Sequence, residues 1–454
     1  MKAVTDFIGE ITGITEWIML VLTIGGGCFL VFYSGFKPYL HMKHAIDVVR
    51  GKYDCDSDSG QVSHFQALSS VVASTVGLGN ISGVAIAIYS GGPGVVFWMW
   101  LTAIIGAAIK FYSCGLAILF REKDDAGNVL GGPMYYMKIG LKQYGKPLAV
   151  FFSVAGLVGV LPAFTANQLT QSVIQVVKPE QYFNLGEFYW KLVIGVLLTI
   201  ITILVIYGGL RSIVKAATTI VPFMVVLYML TAIYILTTYS EAILPSFKLI
   251  FAEAFNLKTA TQGGLWGLIL LGIRRAVFSN ESGVGNAPMY HGQSKTNQPV
   301  HEGLVAMLGP FIDTLIVCTI TAVIIIISGV YINAEDSGIV ITLQAFEKLL
   351  HGFGDELLML MIICFGISTL FTYSYYGTKC LNYLAGPKIG KYYNAVYIIS
   401  IIFAAVASVD LVVGLIDLAF ALMSIPNMIA VLWLAPKMNL VMNSYFNQLK
   451  EKYE

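Results

Sequence analysis

Eleven long apolar segments dominate this sequence, at roughly 17–36, 67–89, 94–119, 147–177, 190–207, 213–238, 263–288, 302–330, 357–384, 393–409 and 411–436. Nearly all exceed the ~18 residues that a helix needs to cross the hydrocarbon of a bilayer. Within that layer only a helix or a closed barrel satisfies its own backbone. The polar–apolar alternation of a membrane barrel is absent. The segments therefore predict an all-α, polytopic membrane protein with about eleven transmembrane helices. Charge supports this: 12% of the 454 residues are charged, about half the share found in soluble domains. A formal net charge of +1 without a basic run argues against nucleic acid as a partner and leaves the lipid bilayer as the surroundings.

Lysine and arginine in the loops set the orientation. Alternating sides from the N-terminus places Lys2, Lys178, Lys191, Lys248, Lys258 and Lys348 on its side. Seventeen others, from Lys37 and Lys43 to Lys450 and Lys452, fall on the opposite side. The cell membrane is the expected location, with the N-terminus outside and the C-terminus cytoplasmic. Residues 1–16 carry Asp6, Glu10 and Glu16 against Lys2, unlike a cleaved signal. Of the cysteines, Cys55 lies in a polar loop and Cys28, Cys114, Cys318, Cys364 and Cys380 in apolar segments. That spacing favours neither a disulfide framework nor a metal cluster.

Two segments break the pattern. Gly77, Gly79 and Gly83 crowd the middle of the second, beside Ser74, Thr75, Asn80 and Ser82. The seventh repeats the anomaly, with Gly283-Val-Gly-Asn286 echoing Gly77-Leu-Gly-Asn80. Glycine lets backbone leave the helix and lets a ligand approach. Unwound backbone at membrane depth is tolerated only where it lines a cavity or binds something. Five segments run from the first break and five from the second, so the second set enters from the opposite face. That is the arithmetic of a five-plus-five inverted repeat whose first helices are discontinuous. Close packing of small residues is the competing explanation. Half-helix N-termini suit a carboxylate, and half-helix C-termini suit an ammonium group or Na⁺. One broken pair can thus hold both ends of an amino-acid zwitterion.

A proton-coupled carrier needs an intramembrane acid or histidine that changes charge. The second and fourth segments have none, whereas Ser368, Thr369 and Thr372 put hydroxyls on the ninth. Hydroxyls and free carbonyls are hard oxygen ligands, so Na⁺ is preferred to H⁺. Such hydroxyls also bond carbonyls of their own helix. Lys110 and Lys379 are expected to snorkel to cytoplasmic helix ends. Arg274, Arg275 and Glu281 flank the second break, with Asp313, Asp410 and Asp417 further on; an Arg–Glu or Arg–Asp pair there is either a gate or a static ion pair. His291 and His301 read as solvated loop residues. Two outside connections, 242–256 and 341–350, are amphipathic and lie on the membrane surface or cap a cavity. No enzyme motif and no full-length polar stripe of a channel occurs.

Several stretches carry a family resemblance. Gly91-Gly-Pro-Gly-Val-Val-Phe-Trp-Met-Trp100-Leu-Thr-Ala-Ile-Ile-Gly106, Gly131-Gly-Pro-Met-Tyr-Tyr136, Val221-Pro-Phe-Met224 and Val277-Phe-Ser-Asn-Glu-Ser-Gly283 resemble the alanine or glycine:cation symporter family (sodium:alanine symporters). Val95 stands where that family usually has a small residue. Val76-Gly-Leu-Gly-Asn80 resembles the first core helix of the leucine-transporter fold. The resemblance covers essentially the whole chain. It implies an additional helix and loop (1–66), a first repeat (67–238), an external connection (239–262), a second inverted repeat (263–436) and a cytoplasmic tail (437–454).

The resemblance also implies symport of Na⁺ with small neutral amino acids, alanine and glycine foremost; a proton-coupled carrier of the same fold is the alternative. The Na⁺ site would use the carbonyls of Ala73, Val76 and Phe365 and the hydroxyls of Ser368 and Thr369. The substrate carboxylate would meet amides at Gly77–Gly79 and Gln168, beside Phe164, Thr165 and Asn167. Its ammonium group would face Thr75 and a break around Val277, Phe278 and Ser279. Ile273, Ala276 and Phe164 would limit side-chain volume. Asn80 joins the substrate residues; as a second Na⁺ ligand it lacks a partner set.

Overall fold

The computed structural model describes residues 12–55, 57–124, 127–178, 185–256, 264–334 and 338–453. Lys2, Asp6, Glu10 and Lys258 lie outside the described residues. The described chain is almost entirely helical: α1 (Thr12–Tyr33), α2 (Met42–Val49), α3 (His64–Thr75), α4 (Leu78–Gly91), α5 (Val95–Leu119), α6 (Pro133–Gly140), α7 (Gly145–Gly159), α8 (Ala163–Val177), α9 (Glu187–Ile206), α10 (Gly209–Thr238), α11 (Ser240–Glu253), α12 (Gly264–Asn280) and α13 (Ala287–His291). There follow α14 (Pro299–Ser328), α15 (Ile339–Leu350), α16 (Gly354–Ala385), α17 (Tyr393–Val406) and α18 (Val409–Tyr453). A short ribbon pairs Glu122–Lys123 with Val129–Leu130 in one connection.

Ten stretches among the described residues are long and apolar enough to cross a bilayer. The remaining span holds α12, whose 17 described residues end at the second break. The fourth apolar segment also differs from the expected single rod. It divides into α7 and α8 at Val160, Leu161 and Pro162, where proline lacks the N–H that would continue the ladder.

Lipid-facing positions are apolar and bare. Leu197, Ile200 and Leu204 on α9, Phe223, Val226 and Leu230 on α10, and Ile399 and Phe403 on α17 are all exposed. In water such a belt would aggregate; in hydrocarbon it costs nothing. The interior is built on α5, which packs against α12 and α14 and is buried from Ala107 to Ala117. The two broken spans meet there, α4 lying against α12. A Cβ on Gly79 would stand 3.3 Å from the Phe278 ring.

The two amphipathic connections separate. In α11 only Ser246 and Ile250 are buried, and Leu244 and Phe251 are exposed, so that helix lies on the surface. In α15 nine residues from Ile339 to Leu350 are buried, and Thr342 Oγ1 donates to the Ile81 carbonyl of α4 at 3.2 Å. It is a cap over the first broken span.

Two expectations about charge are corrected. Lys110 does not snorkel: it is buried, and its Nζ lies 3.3 Å from where a Cβ on Gly309 would stand; Lys379 has a buried stem, and its Nζ lies over the Tyr375 ring. His291 and His301 are not solvated but buried. His291 Nδ1 lies 2.5 Å from Glu302 Oε2, and His64 Nδ1 bonds Oε1 of the same carboxylate. His301 and His44 share the Tyr445 hydroxyl at 2.8 and 2.6 Å. The Lys-rich end of the bundle is thus closed by a buried histidine–glutamate cluster.

Helix α18 is 45 residues long and carries Pro426 and Pro436 in its interior. Its mid-point is held to the second break, where Asn427 Nδ2 donates to the Gly283 carbonyl at 2.7 Å and Tyr136 donates to Asn427 Oδ1.

Candidate functional site

The first break is short. Ser63 caps α3 in a reciprocal box with Gln66, an arrangement that satisfies two orphan donors at once. The helix then runs to Thr75. Val76 turns to ψ 87° and Gly77 to φ −147°, ψ −150°, so the backbone leaves the helical track for two residues before α4 begins, Val76 N–H being the last to reach a helical carbonyl, that of Val72, at 2.7 Å. Asn80 Oδ1 accepts the Gly77 N–H at 3.3 Å. The first-turn amides of α4 at Leu78 and Gly79 remain at the positive end of its dipole.

The second break is longer and begins later than the sequence predicts. Val277, Phe278 and Ser279 stay helical in the last turn of α12, and the irregular backbone runs from Glu281 to Asn286. Glu281 (φ 53°), Gly283 (φ 89°) and Gly285 (φ 101°) take left-handed conformations. Two of the three are glycines, the residue that adopts them without a Cβ clash.

Between the breaks lies a slot of ≈ 30 Å³ lined by Ser74, Thr75, Gly77, Leu78, Gly79, Leu161, Phe164, Thr165, Phe278, Thr369, Tyr373, Ile416 and Phe420. At ~10–15 Å³ per water it holds about two water molecules. An amino acid enters only when the walls separate. One end of the slot is roofed by aromatic rings. Phe278 packs edge-on to Phe164 at 4.9 Å and lies 6.0 Å from Phe420. Above this roof Arg275 sits over the Phe278 ring and pairs with Asp417 at 3.3 Å. Arg274 pairs with Glu16 of α1 at 2.5 Å; the Arg–Asp pair expected from the sequence is present, whereas Glu281, the glutamate expected beside the arginines, bonds Tyr373 instead. Beyond Arg274 a vestibule of ≈ 940 Å³ opens between α4, α12 and Tyr331–Ile332. The other end is closed by Ser74 and Tyr376, hydroxyls 2.9 Å apart, by Tyr373 bonded to Glu281, and by the histidine–glutamate cluster.

Beside Gly77 four oxygens converge. Thr369 Oγ1 lies 3.0 Å from the carbonyls of both Ala73 and Phe365. Ser368 Oγ lies 2.8 Å from Phe365 O and 3.4 Å from Ala73 O. Val76, buried one residue beyond α3, leaves the helical track at the same place. The hydroxyls donate to the carbonyls here. They can rotate so that their lone pairs face a cation instead. Neutral oxygens from two spans, with no charged side chain among them, fit a weakly held alkali ion.

Of the residues singled out for substrate, Thr75, Gly77, Gly79, Phe164, Thr165 and Phe278 line the slot; the others do not. Asn80 is turned to the Asp313 carbonyl, 3.0 Å away. Gln168 Oε1 accepts from Ser82 at 2.6 Å, a turn above the slot. Ser279 faces Cys318 on α14. Val277 lines a smaller space with Glu16 and Asp417. Ile273 and Ala276 are buried on α12 away from the slot. Ser74 was visible in the glycine-rich stretch. Leu161, Tyr373, Ile416 and Phe420 carried no signal, being apolar or aromatic residues within apolar segments.

Comparison with known proteins places this geometry. The model described as the sodium:alanine symporter family matches residues 1–454. The chain is 37% identical over 439 residues to the sodium/alanine symporter AgcS of Methanococcus maripaludis, covering 95% of each protein. It is 30% identical over 434 residues to the amino-acid carrier protein AlsT of Bacillus subtilis, covering 95% of this chain and 90% of the other. Among solved structures, MhsT in complex with L-phenylalanine superposes with a TM-score of 0.59 at 14% identity, covering 85% of this chain and 99% of that one. The last likeness is one of fold.

Proposed function

The chain belongs to the sodium:alanine symporter family, and from that membership we propose that it couples the entry of Na⁺ to uptake of small neutral amino acids, alanine and glycine, by alternating access. It is a multi-pass membrane transporter rather than an enzyme. The observation that carries the coupling is that the oxygen cluster and the slot share a residue pair: a Cβ on Gly77 would stand 2.7 Å from Thr369 Oγ1. The cation and the amino acid are therefore neighbours at one break.

In this mechanism the carboxylate of the amino acid meets the Leu78 and Gly79 amides, where the dipole of α4 favours negative charge. The ammonium group turns toward the last carbonyls of α3 and the Thr75 hydroxyl. Leu161, Phe164, Phe278, Ile416 and Phe420 close round the side chain. Na⁺ ties α3, through Ala73 and Val76, to α16, through Phe365, Ser368 and Thr369. The ion helps only by favouring the arrangement that also holds the amino acid. A monovalent charge moving down 100 mV releases ~2.3 kcal/mol, enough for tens-fold accumulation of a zwitterion. The Arg275–Asp417 pair over Phe278 acts as the outer closure and the Glu302 cluster as the inner one, with the N-terminus outside and the C-terminus in the cytoplasm.

Uptake of labelled alanine into proteoliposomes tests this. Accumulation should require external Na⁺ and fail with choline. Equal accumulation in both would remove sodium and favour the proton-driven alternative. Thr369→Val is expected to raise the Na⁺ concentration for half-maximal uptake about tenfold, the ~1.4 kcal/mol of one lost oxygen ligand. An unchanged Na⁺ requirement would exclude Thr369 from the site.

A further inference from the structure

Behind the slot lies a charged cluster that the sodium mechanism does not use. Lys110 of α5, Glu281 of the second break and Asp313 of α14 are each at most 2% exposed. Each has a polar atom without a hydrogen-bond partner: Lys110 Nζ, Glu281 Oε2 and Asp313 Oδ2. Their spans are packed close. A Cβ on Gly106, one turn before Lys110, would stand 2.5 Å from Ser282 Oγ in the break. Lys110 Nζ lies beside Gly309, one turn before Asp313. The helix around Asp313 is widened to π geometry over Phe311–Cys318, a distortion that often marks functional positions. Lys110 acts electrostatically on both carboxylates, and Glu281 acts on Asp313.

Charge counting is decisive here. One ammonium balances one carboxylate, so the fully ionised cluster carries a net negative charge in the low-dielectric interior. Such a charge is not tolerated without a counterion. The remaining partners on every side are neutral: Thr314 on Asp313, Tyr373 on Glu281, and Cys114, Cys318 and Tyr376 nearby. We propose that Lys110, Glu281 and Asp313 form a proton-binding site in which the two carboxylates carry one proton between them, residing on one or the other without a direct bond joining them, and that its occupancy is felt at the slot.

The link to the slot is Asn80. Its Oδ1 caps Gly77 and its Nδ2 donates to the Asp313 carbonyl, and the Thr75 hydroxyl is close enough to act on the Asp313 carboxyl. An ionised Asp313 and the carboxylate of a bound amino acid compete for the same positive end of α4. Taking up the proton, which converts one –COO⁻ to –COOH, removes the competitor. Amino-acid binding should therefore weaken as pH rises. This last step rests on the amino-acid reading above; the shared proton does not.

The test is infrared spectroscopy of the purified, substrate-free protein at neutral pH, reading the carbonyl stretch of un-ionised carboxylic acid. Asp313→Asn and Glu281→Gln should each remove one acid's worth of this band, because either leaves a single carboxylate facing Lys110. Lys110→Met should add one. A band unchanged by both carboxylate substitutions, or by loss of Lys110, would overturn the shared proton. Alanine affinity measured over the same preparations should fall with rising pH, approaching about tenfold per pH unit, and Asp313→Asn should flatten that dependence. A dependence as steep in Asp313→Asn as in the native protein would overturn the coupling. Failure of the native protein to bind alanine at any pH would instead sink the amino-acid assignment, leaving the infrared band to decide the proton.

Discussion

Gly77→Val is expected to abolish sodium-driven uptake, lowering it at least ~100-fold, or ~2.7 kcal/mol. The first added carbon alone would stand 2.7 Å from Thr369 Oγ1, and both are buried in the wall of the slot. Either Thr369 swings out of the oxygen cluster or α4 moves off α16, and each course breaks the shared geometry of ion and amino acid. Valine also stiffens backbone at the one place where the ladder must lapse. The check is Na⁺-dependent uptake in proteoliposomes, with monodispersity confirmed by size-exclusion chromatography. A variant that folds and transports alanine within a few-fold of the native rate would refute the placement of the site.

Glu302→Ala is expected to give the largest loss of stability. The Glu302 carboxylate is fully buried and is the shared partner of His64 Nδ1 and His291 Nδ1. It joins the first residue of α3 to α13 and to the start of α14. Removing it leaves two buried imidazoles without their acceptor, a cost of about 3–5 kcal/mol by analogy with other broken buried pairs. Glu302→Gln keeps one acceptor oxygen and should lose less. Thermal unfolding in detergent measures both; an alanine variant that melts with the native protein would show that the cluster does not hold the two broken spans together.

The parts of the site that the sequence revealed are those where chemistry contradicts its surroundings. Three glycines and an asparagine inside an apolar span declare a broken helix, and α3 ends within two residues of Gly77. Phe365, Ser368 and Thr369 sit at a spacing that places their oxygens together on one helix face, and they meet Ala73 across the interface. What stayed hidden depends on long-range packing. Leu161, Ile416 and Phe420 look like any other apolar residue until α18 is laid beside α8. Position along its span points Gln168 toward the substrate, but Ser82, far away in sequence, claims its oxygen. The second break was placed too early because Val277, Phe278 and Ser279 precede its glycines, and only coordinates show that helical bonding persists to Asn280. His291 and His301 stand among polar loop residues, so their burial follows from Glu302 and Tyr445, partners that local composition does not disclose. Snorkelling likewise assumes that water is within reach of a lysine, whereas Lys110 Nζ is buried beside Gly309 on a neighbouring span.

Helix α18 joins places that the rest of the fold keeps apart. Ile416 and Phe420 form one wall of the slot, and Tyr445 on the same rod is bonded to His44 and His301. About 25 residues separate Phe420 from Tyr445, a span of ~38 Å at the rise of an α-helix. Such a rod is a lever. With the Asn427 clasp beside Pro426 as fulcrum, the arm to Phe420 is ~10 Å and the arm to Tyr445 ~27 Å, so a small tilt at the aromatic wall is amplified at the far end. If the alternating access proposed above holds, one rod that touches both closures would make opening at one membrane face and tightening at the other a single movement.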